Sequence, residues 1–82
     1  MSEQNMITLV TRKQMDIYMN PQRQRLLKAM EVSGVPMTPK QLSNILKISA
    51  SSVSLHIRKL EELGLVKLDH TEAIHGIQAK YY

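Results

Sequence analysis

The chain contains no cysteine, no phenylalanine and no tryptophan among its 82 residues. Without cysteine it can form neither a disulfide nor a thiolate metal site, a composition that fits a reducing cytoplasm. Without the two largest apolar aromatic side chains, leucine, isoleucine, valine and six methionines must fill the core. The sequence therefore predicts one small domain with a thin core that self-association would help to stabilise.

Several classes of protein are disfavoured by what else is missing. The three glycines are scattered and form no phosphate-binding loop, and no nucleophile, base and acid occur in a catalytic pattern. The first ten residues lack the basic and apolar regions of a signal peptide, and no segment is long and apolar enough to span a membrane. We therefore expect a cytoplasmic protein that is not an enzyme and needs no cofactor or metal.

The charge of the chain is the first positive indication of a partner. Eleven lysines and arginines outnumber seven acidic residues, which leaves a formal net charge of +4. A small basic domain favours a polyanionic partner such as nucleic acid or an anionic membrane surface. By itself this signal is weak.

Three helices are predicted by their N-terminal signals. Thr11 with Gln14, and Thr38 with Gln41, have the spacing of a capping box, while Asn20 precedes a proline. These signals predict helices over 12–19, from Pro21 to just before Gly34, and from Pro39 to about Lys47. Their expected inner positions are Leu26, Leu27 and Met30 in the second helix and Leu42, Ile45 and Leu46 in the third. Residues 1–10 are expected to form an arm or short strand, and residues 11–82 the domain itself.

A fourth helix is predicted over 51–63, in the stretch SASSVSLHIRKLEELGLV, with Ser49 or Ser51 as its N-cap. At about 100° per residue, one face collects Val53, Ile57, Leu60 and Gly64, and we expect it to face the core. The opposite face collects Ser51, Ser52, Leu55, Arg58, Lys59 and Glu62, with Ser54 and His56 on the flanks. The serines not used for capping therefore lie near the helix N-terminus, where backbone N–H groups and the helix dipole attract anions.

The last part of the chain is predicted to be a β-hairpin. Residues 65–69 and 77–82 read as two strands, joined by a loop over 70–76. A hairpin that follows a pair of helices suggests a β-wing.

These segments together resemble a winged helix-turn-helix DNA-binding domain, most like the ArsR family of bacterial and archaeal transcription regulators. NPQRQRLL is similar to the opening of that family, with Pro21, Arg23, Leu26 and Leu27 in place. The central pattern of the family is matched by Val53, Ser54, His56, Ile57, Leu60, Gly64, Leu65 and Val66, and IHGIQAKYY resembles its second wing strand. The resemblance covers about residues 15–82, although Leu55 replaces a residue that is often polar.

The resemblance implies that the fourth helix enters the major groove and that the wing straddles the backbone or an adjacent minor groove. The candidate DNA-binding residues are Lys40, Gln41, Ser49, Ser51, Ser52, Ser54, Leu55, His56, Arg58, Lys59, His70 and His75. Base readout would come from Ser51, Ser52, Leu55 and Arg58, and arginine and lysine would supply affinity by binding phosphates.

Alternatives remain for most of these residues. Leu55 could contact a thymine methyl group or pack on a partner or on the N-terminal arm. His56 could contact a phosphate, as the resemblance implies, or be a half-buried histidine that donates to a backbone carbonyl. Arg58 and Lys59 could be ordinary solvated charges, and so could the residues that flank the third helix, Lys40, Gln41 and Lys47.

The segment 69–75 also raises the question of a metal site, through Asp69, His70, Glu72 and His75. Their spacing matches no compact ligand motif, so we predict no metal there. A polar wing tip, with His70 or His75 near a minor groove, is the expectation instead.

The combined prediction is a mainly α protein with a small β-wing, an α+β winged helix-turn-helix of three to four helices and a two- or three-stranded antiparallel sheet. Its predicted function is sequence-specific regulation of transcription, as a repressor that binds double-stranded DNA as a homodimer. The alternative is a winged-helix protein–protein interaction module of a larger assembly. No small-molecule effector is identified by the sequence.

Overall fold

Four helices followed by one β-hairpin make up the part of the chain that the computed structural model describes, residues 11–82. In chain order these elements are α1 Arg12–Met19, α2 Pro21–Ser33, α3 Pro39–Leu46, α4 Ala50–Glu62, β1 His70–Ile74 and β2 Ile77–Tyr81. The mainly α fold with a small antiparallel wing is confirmed. The predicted arm over residues 1–10 lies outside the described residues.

The helices begin where local capping chemistry predicts. Thr11 Oγ1 accepts a hydrogen bond from the Gln14 amide at 3.0 Å, and the Gln14 side chain accepts one from the Thr11 amide at 3.2 Å. Thr38 forms the same reciprocal box with Gln41, and Asn20 Oδ1 accepts from the first-turn amides of α2. The chain leaves α2 through Gly34, whose φ of 69° suits a residue without a Cβ atom. The predicted boundaries of these helices are therefore correct to within one residue.

One apolar core joins α2, α3, α4 and the chain that follows α4. Leu26, Leu42, Val53 and Leu60 are completely buried, and Ile57 is 2% exposed. Met37, Leu46 and Val66 complete the cluster, and Leu27 and Met30 pack against it. The predicted inner faces of α2 and α4 are confirmed, except that Gly64 lies beyond the end of α4 and is exposed.

The predicted inner face of α3 is wrong at one position. Ile45 is 53% exposed, whereas Ser43 is buried. Ser43 lies on the far side of Leu46 from Leu42 on the helical wheel, and its hydroxyl donates to the Lys40 carbonyl at 2.7 Å, which removes the cost of burying it. The inward direction of α3 is therefore close to that of Leu46, with Leu42 and Ser43 on its two sides, and Ile45 points about 100° away from it.

The predicted hairpin had the wrong first strand. Residues 65–69 form no strand: Val66 is buried and Leu65 packs against the core, whereas residues 67–69 are exposed and lead to the wing. Residues 70–74, which we expected to be a loop, form β1 and pair with β2 in the register His70–Tyr81 to Ile74–Ile77. The turn contains only His75 and Gly76, with φ of 50° and 79°, the signs that a two-residue type I′ hairpin turn requires.

The base of the wing is fastened to the link between α2 and α3. The Met37 amide donates to the Tyr82 carbonyl at 3.0 Å, and the Tyr82 amide donates to the Met37 carbonyl at 2.9 Å. The Asp69 amide also donates to the Tyr81 carbonyl at 2.7 Å. These bonds fix where the hairpin leaves the helical core, although all of β1 is exposed to solvent.

Candidate nucleic-acid interface

The helices α3 and α4 are joined by a three-residue turn, residues 47–49. Lys47 adopts the left-handed conformation, with φ of 61°, and its amide donates to the Ser43 carbonyl at 2.8 Å. Two short helices joined in this way, followed by a hairpin, have the arrangement of a helix-turn-helix with a wing. In that arrangement α4 is the helix that a DNA groove would receive.

Ser49 is the serine that caps α4. Its Oγ accepts a hydrogen bond from the Ser52 amide at 3.1 Å and donates to the Ser52 hydroxyl at 3.0 Å. The first turn of α4 contains no acidic residue, so its backbone N–H groups and positive dipole end are not neutralised by a carboxylate of that turn. The serine-rich start of α4 therefore combines one structural cap with a polar surface that is favourable to anions.

The outward face of α4 agrees with the helical wheel. Ser51, Leu55 and Arg58 are exposed, and Leu55 is 46% accessible although it is apolar. Ser52 and Lys59 are partly exposed on one side of this row, and Ser54 is half-buried on the other. The fold therefore brings a small, partly apolar ridge to the surface between two polar flanks.

The charge distribution along the chain supports the same surface. No aspartate or glutamate occurs between Glu31 and Glu61, a stretch that contains α3, the turn and most of α4. The cations of this stretch are Lys40, Lys47, Arg58 and Lys59, so its formal charge equals that of the whole chain, +4. The prediction from sequence overlooked this segregation of charge, which could have been read directly from the positions of the acids.

One flank of α4 forms a groove with the start of α3 and the wing. Five of the candidate residues line it together: Lys40, Gln41, Ser54, Arg58 and His75. The wing adds Lys80, and also the exposed side chains of Ile74 and Ile77. Residues that are 40 positions apart in the chain, Lys40 and Lys80, thus share one surface. Gln41 retains its amide NH₂ as a donor there, since its carbonyl oxygen accepts from the Thr38 amide at 2.9 Å.

The other flank of α4 faces the N-terminal half of α2. Arg23 Nε donates to His56 Nδ1 at 3.2 Å, and the Nη1 group of the same arginine donates to the Ile17 carbonyl at 3.1 Å. Partial burial, and then the positive charge of Arg23, lower the pKa of the His56 imidazole below its usual value of 6.5. The alternative in which His56 donates to a backbone carbonyl is not what this geometry contains, because Nδ1 accepts from Arg23 and Nε2 has no carbonyl partner within residues 11–82.

Lys59 lies on the same flank and is close to a carboxylate. Its Nζ is 3.9 Å from Glu62 Oε2, one helical turn towards the C-terminus. Both side chains are more than one-third exposed, so this ion pair is weak. Lys59 can readily leave Glu62 for another partner. Lys59 therefore remains able to extend towards an anion.

The two candidate histidines of the wing have different surroundings. His70 Nδ1 is 2.6 Å from Asp69 Oδ2, its Nε2 is 3.0 Å from Glu72 Oε2, and its ring stacks on Tyr81 at 4.5 Å. Hydrogen bonds to Asp69 and then to Glu72 raise the pKa of His70. Both ring nitrogens are thus engaged with carboxylates, whereas His75 lies at the exposed turn.

Two further properties concern metals and membranes. Within residues 11–82, no three or more histidine or acidic side chains are arranged to hold a metal ion. Over the same residues, no helix has the length and apolar character needed to cross a bilayer.

Comparison with known proteins agrees with the geometry. A family model described as a helix-turn-helix domain matches residues 18–69, which extends from the end of α1 through α4 to the start of the wing. A search of curated proteins found no match to the chain. Because the family match spans more than half of the sequence, the chain belongs to the helix-turn-helix domain family, whose domains are of the type found in transcription regulators.

Proposed function

We propose that this protein is a sequence-specific DNA-binding repressor of transcription, of the ArsR type, that acts in the cytoplasm and binds double-stranded DNA as a homodimer. The observation that carries the proposal is the surface of α4: an exposed ridge of Ser51 and Leu55 at a helix N-terminus, inside a 29-residue stretch without an acid. Small side chains permit close approach to base edges, and the absence of carboxylates permits close approach of phosphates.

Each flank of the ridge is suited to one phosphate backbone. Lys40, Arg58 and His75 lie on the wing side, and Lys59 and His56 lie on the α2 side. A helix inserted in a major groove has one DNA strand along each side, so the lysines on the two flanks, Lys40 and Lys59, would fix its register. Base readout is then assigned to Ser51, Ser52, Leu55 and Arg58, with Ser49 and Ser54 close to the backbone.

Binding of duplex DNA at several salt concentrations tests this proposal. We expect the logarithm of the affinity to fall linearly with the logarithm of the salt concentration, by roughly 0.9 for each phosphate contacted. Selection from a random duplex pool should enrich one sequence, and a palindrome would give the spacing of two half-sites. A plot without slope, or a pool without enrichment, would contradict the proposal.

The homodimer is proposed to use residues 6–30. Met15 and Met19 on α1 are 49% and 62% exposed, and a single module of this size offers few DNA contacts without a second copy. The substitution Met19→Glu should dissociate a dimer in sedimentation experiments because it buries a charge at the interface. Val32→Glu is the matched control, since Val32 is a 73% exposed apolar residue outside the proposed region. Equal behaviour of the two variants would contradict this interface.

A protein–protein interaction module is the second candidate. It is favoured by the exposed apolar side chains of Ile74 and Ile77 at the wing groove and of Leu55 on the ridge of α4. Contact through such side chains would depend little on salt, in contrast to phosphate-led binding. The salt titration therefore separates the two candidates.

A further inference from the structure

The hydrogen bond from Arg23 on α2 to His56 on α4 determines which nitrogen of the His56 ring can donate a hydrogen bond. The Arg23 guanidinium is always charged and can only donate hydrogen bonds, so its contact with His56 Nδ1 at 3.2 Å requires an unprotonated Nδ1. A neutral imidazole with a bare Nδ1 carries its proton on Nε2. Arg23 therefore selects the tautomer in which Nε2 is the donor.

The Nε2 edge of His56 is directed away from this hydrogen bond. Within residues 11–82, Nε2 has no hydrogen-bond partner, and no buried side-chain nitrogen or oxygen lacks one. Since His56 is only partly buried, this N–H group is open to solvent. It lies on the flank of α4 that also carries Lys59 and faces the N-terminal half of α2, whose first turn contains no acidic residue.

Arg23 is itself held in place by a second contact. Its Nη1 group donates to the Ile17 carbonyl of α1 at 3.1 Å, so the guanidinium is fixed between α1 and the His56 ring. A planar group with two fixed partners restricts the rotation of the imidazole as well as its tautomer.

We propose that Arg23 is a positioning residue for DNA binding, which holds His56 as a neutral imidazole whose Nε2–H donates to a DNA phosphate oxygen. This inference rests on the proposed function and deepens it. Arg23 does not touch DNA, although it is the more strongly basic of the two residues. His56 contributes a directed hydrogen bond without a charge, unlike Lys59 on the same flank.

The first experiment determines the tautomer without DNA. In a long-range ¹H–¹⁵N spectrum of the intact chain at neutral pH, His56 should show an unprotonated Nδ1 and a protonated Nε2. Arg23→Met should release the ring and produce a mixture of tautomers. A proton on Nδ1 in the wild-type spectrum would overturn the inference, whatever the chain does with DNA.

The second experiment compares two arginines of the same helix. Arg25 also links α2 to another helix, through Nη2 and the Leu46 carbonyl at 3.1 Å, but it does not contact His56. At temperatures where both variants are folded, Arg23→Met should weaken DNA binding about three- to tenfold, because the released ring presents its Nε2–H to the phosphate only part of the time, and Arg25→Met should not. Neither should change the salt slope. Equal affinities of the two variants, or a slope reduced by about one in Arg23→Met alone, would overturn the inference.

The third experiment places a donor at each ring position in turn. The amide nitrogen of glutamine extends to about the position of Nε2, and that of asparagine to about the position of Nδ1. His56→Gln should retain affinity within about twofold, whereas His56→Asn should lose about three- to tenfold, and Arg23→Met should add no further loss to His56→Asn. The reverse order of the two His56 variants would overturn the proposed phosphate contact. Failure of the wild-type chain to bind any DNA would instead overturn the proposed function, and the phosphate contact with it.

Discussion

Lys59 and Lys28 make the same kind of ion pair on two different helices, and only one of them lies on the proposed interface. Each has its Nζ 3.9 Å from a glutamate three residues ahead, Glu62 and Glu31 respectively. We predict that Lys59→Ala weakens binding to all DNA sequences alike and reduces the salt slope by roughly one, because one phosphate contact is lost. Lys28→Ala should change neither quantity.

The comparison controls for the loss of a positive charge and of an exposed ion pair. Binding isotherms with one specific and one unrelated duplex, each at several salt concentrations, provide the measurement. A similar effect of both substitutions would mean that long-range charge, and not a contact of Lys59, determines the affinity.

Leu55 and Ile57 are two residues apart on α4 but face opposite directions. Leu55 is 46% exposed and Ile57 is 2% exposed. We predict that Leu55→Ala lowers the preference for the best DNA site by about 1–3 kcal/mol and leaves the unfolding free energy nearly unchanged. Ile57→Ala should lower the unfolding free energy by about 2–5 kcal/mol through the cavity that it leaves.

Chemical denaturation and competition binding with specific and random duplexes measure the two effects separately. Unfolding of the Leu55→Ala variant would show that Leu55 packs on another part of the chain. An unchanged site preference in a stable variant would favour the protein–protein module over base contact.

At the scale of an element, the serine-rich start of α4 contains residues with different tasks. Ser49 Oγ accepts a hydrogen bond from the Ser52 amide, whereas Ser51, two residues after Ser49, is exposed to solvent. We predict that Ser49→Ala lowers the unfolding free energy by about 1 kcal/mol, as for other N-cap serines, and that Ser51→Ala changes it by less than about 0.5 kcal/mol.

A third substitution separates capping from DNA binding. Ser49→Asp preserves a capping oxygen and adds a negative charge at the positive end of the helix dipole, so the stability of the domain should be retained. The same charge would face the phosphates, and DNA affinity should fall. An Ser49→Asp variant that binds DNA as well as the wild-type chain would contradict the proposed approach of phosphates to this end of α4.

The helices were predictable because their signals are local. Thr38 and Gln41 are three residues apart, and the box that they form requires no knowledge of the rest of the fold. The wing was less predictable, since residues 66–69 alternate between apolar and polar as a strand does, but Val66 is buried in the helical core and the run does not join the sheet. The distinction depends on tertiary contacts, which the local pattern does not contain.

The candidate site shows the same limit. The outward direction of Leu55 follows from the period of α4, and the wheel predicted it correctly. The bond between Arg23 and His56 spans 33 residues, so the resemblance identified both residues without indicating that they meet. The positive φ of His75 was also missed, because histidine is a less familiar partner of glycine in a two-residue turn than asparagine or aspartate.

For the molecule as a whole, two histidines give the stability opposite dependences on pH. The pKa of His56 is lowered by burial and by Arg23, so the folded state binds fewer protons than the unfolded state near pH 6.5. The contribution of His56 to the free energy of unfolding is complete above pH 6.5, and it is lost as the pH falls from 6.5 through the lowered pKa. The pKa of His70 is raised, so its contribution is complete below pH 6.5 and is lost as the pH rises through the raised value.

We predict that His56→Gln reduces the loss of unfolding free energy between pH 7 and pH 5.5, and that His70→Gln reduces the loss on the alkaline side of pH 6.5. Urea denaturation at closely spaced pH values measures both. His75→Gln serves as the control at the exposed turn. If His56→Gln and His70→Gln both retain the pH dependence of the wild-type chain, other groups determine that dependence.

The backbone bonds between Met37 and Tyr82 determine the order in which parts of this chain can fold. Each helix closes only short loops, whereas this pairing closes a loop of 45 residues that encloses α3, α4 and the hairpin. Because β1 buries no side chain, little apolar burial compensates that entropy until the helical core exists. Attachment of the wing is therefore expected to be a late event in folding and an early one in unfolding.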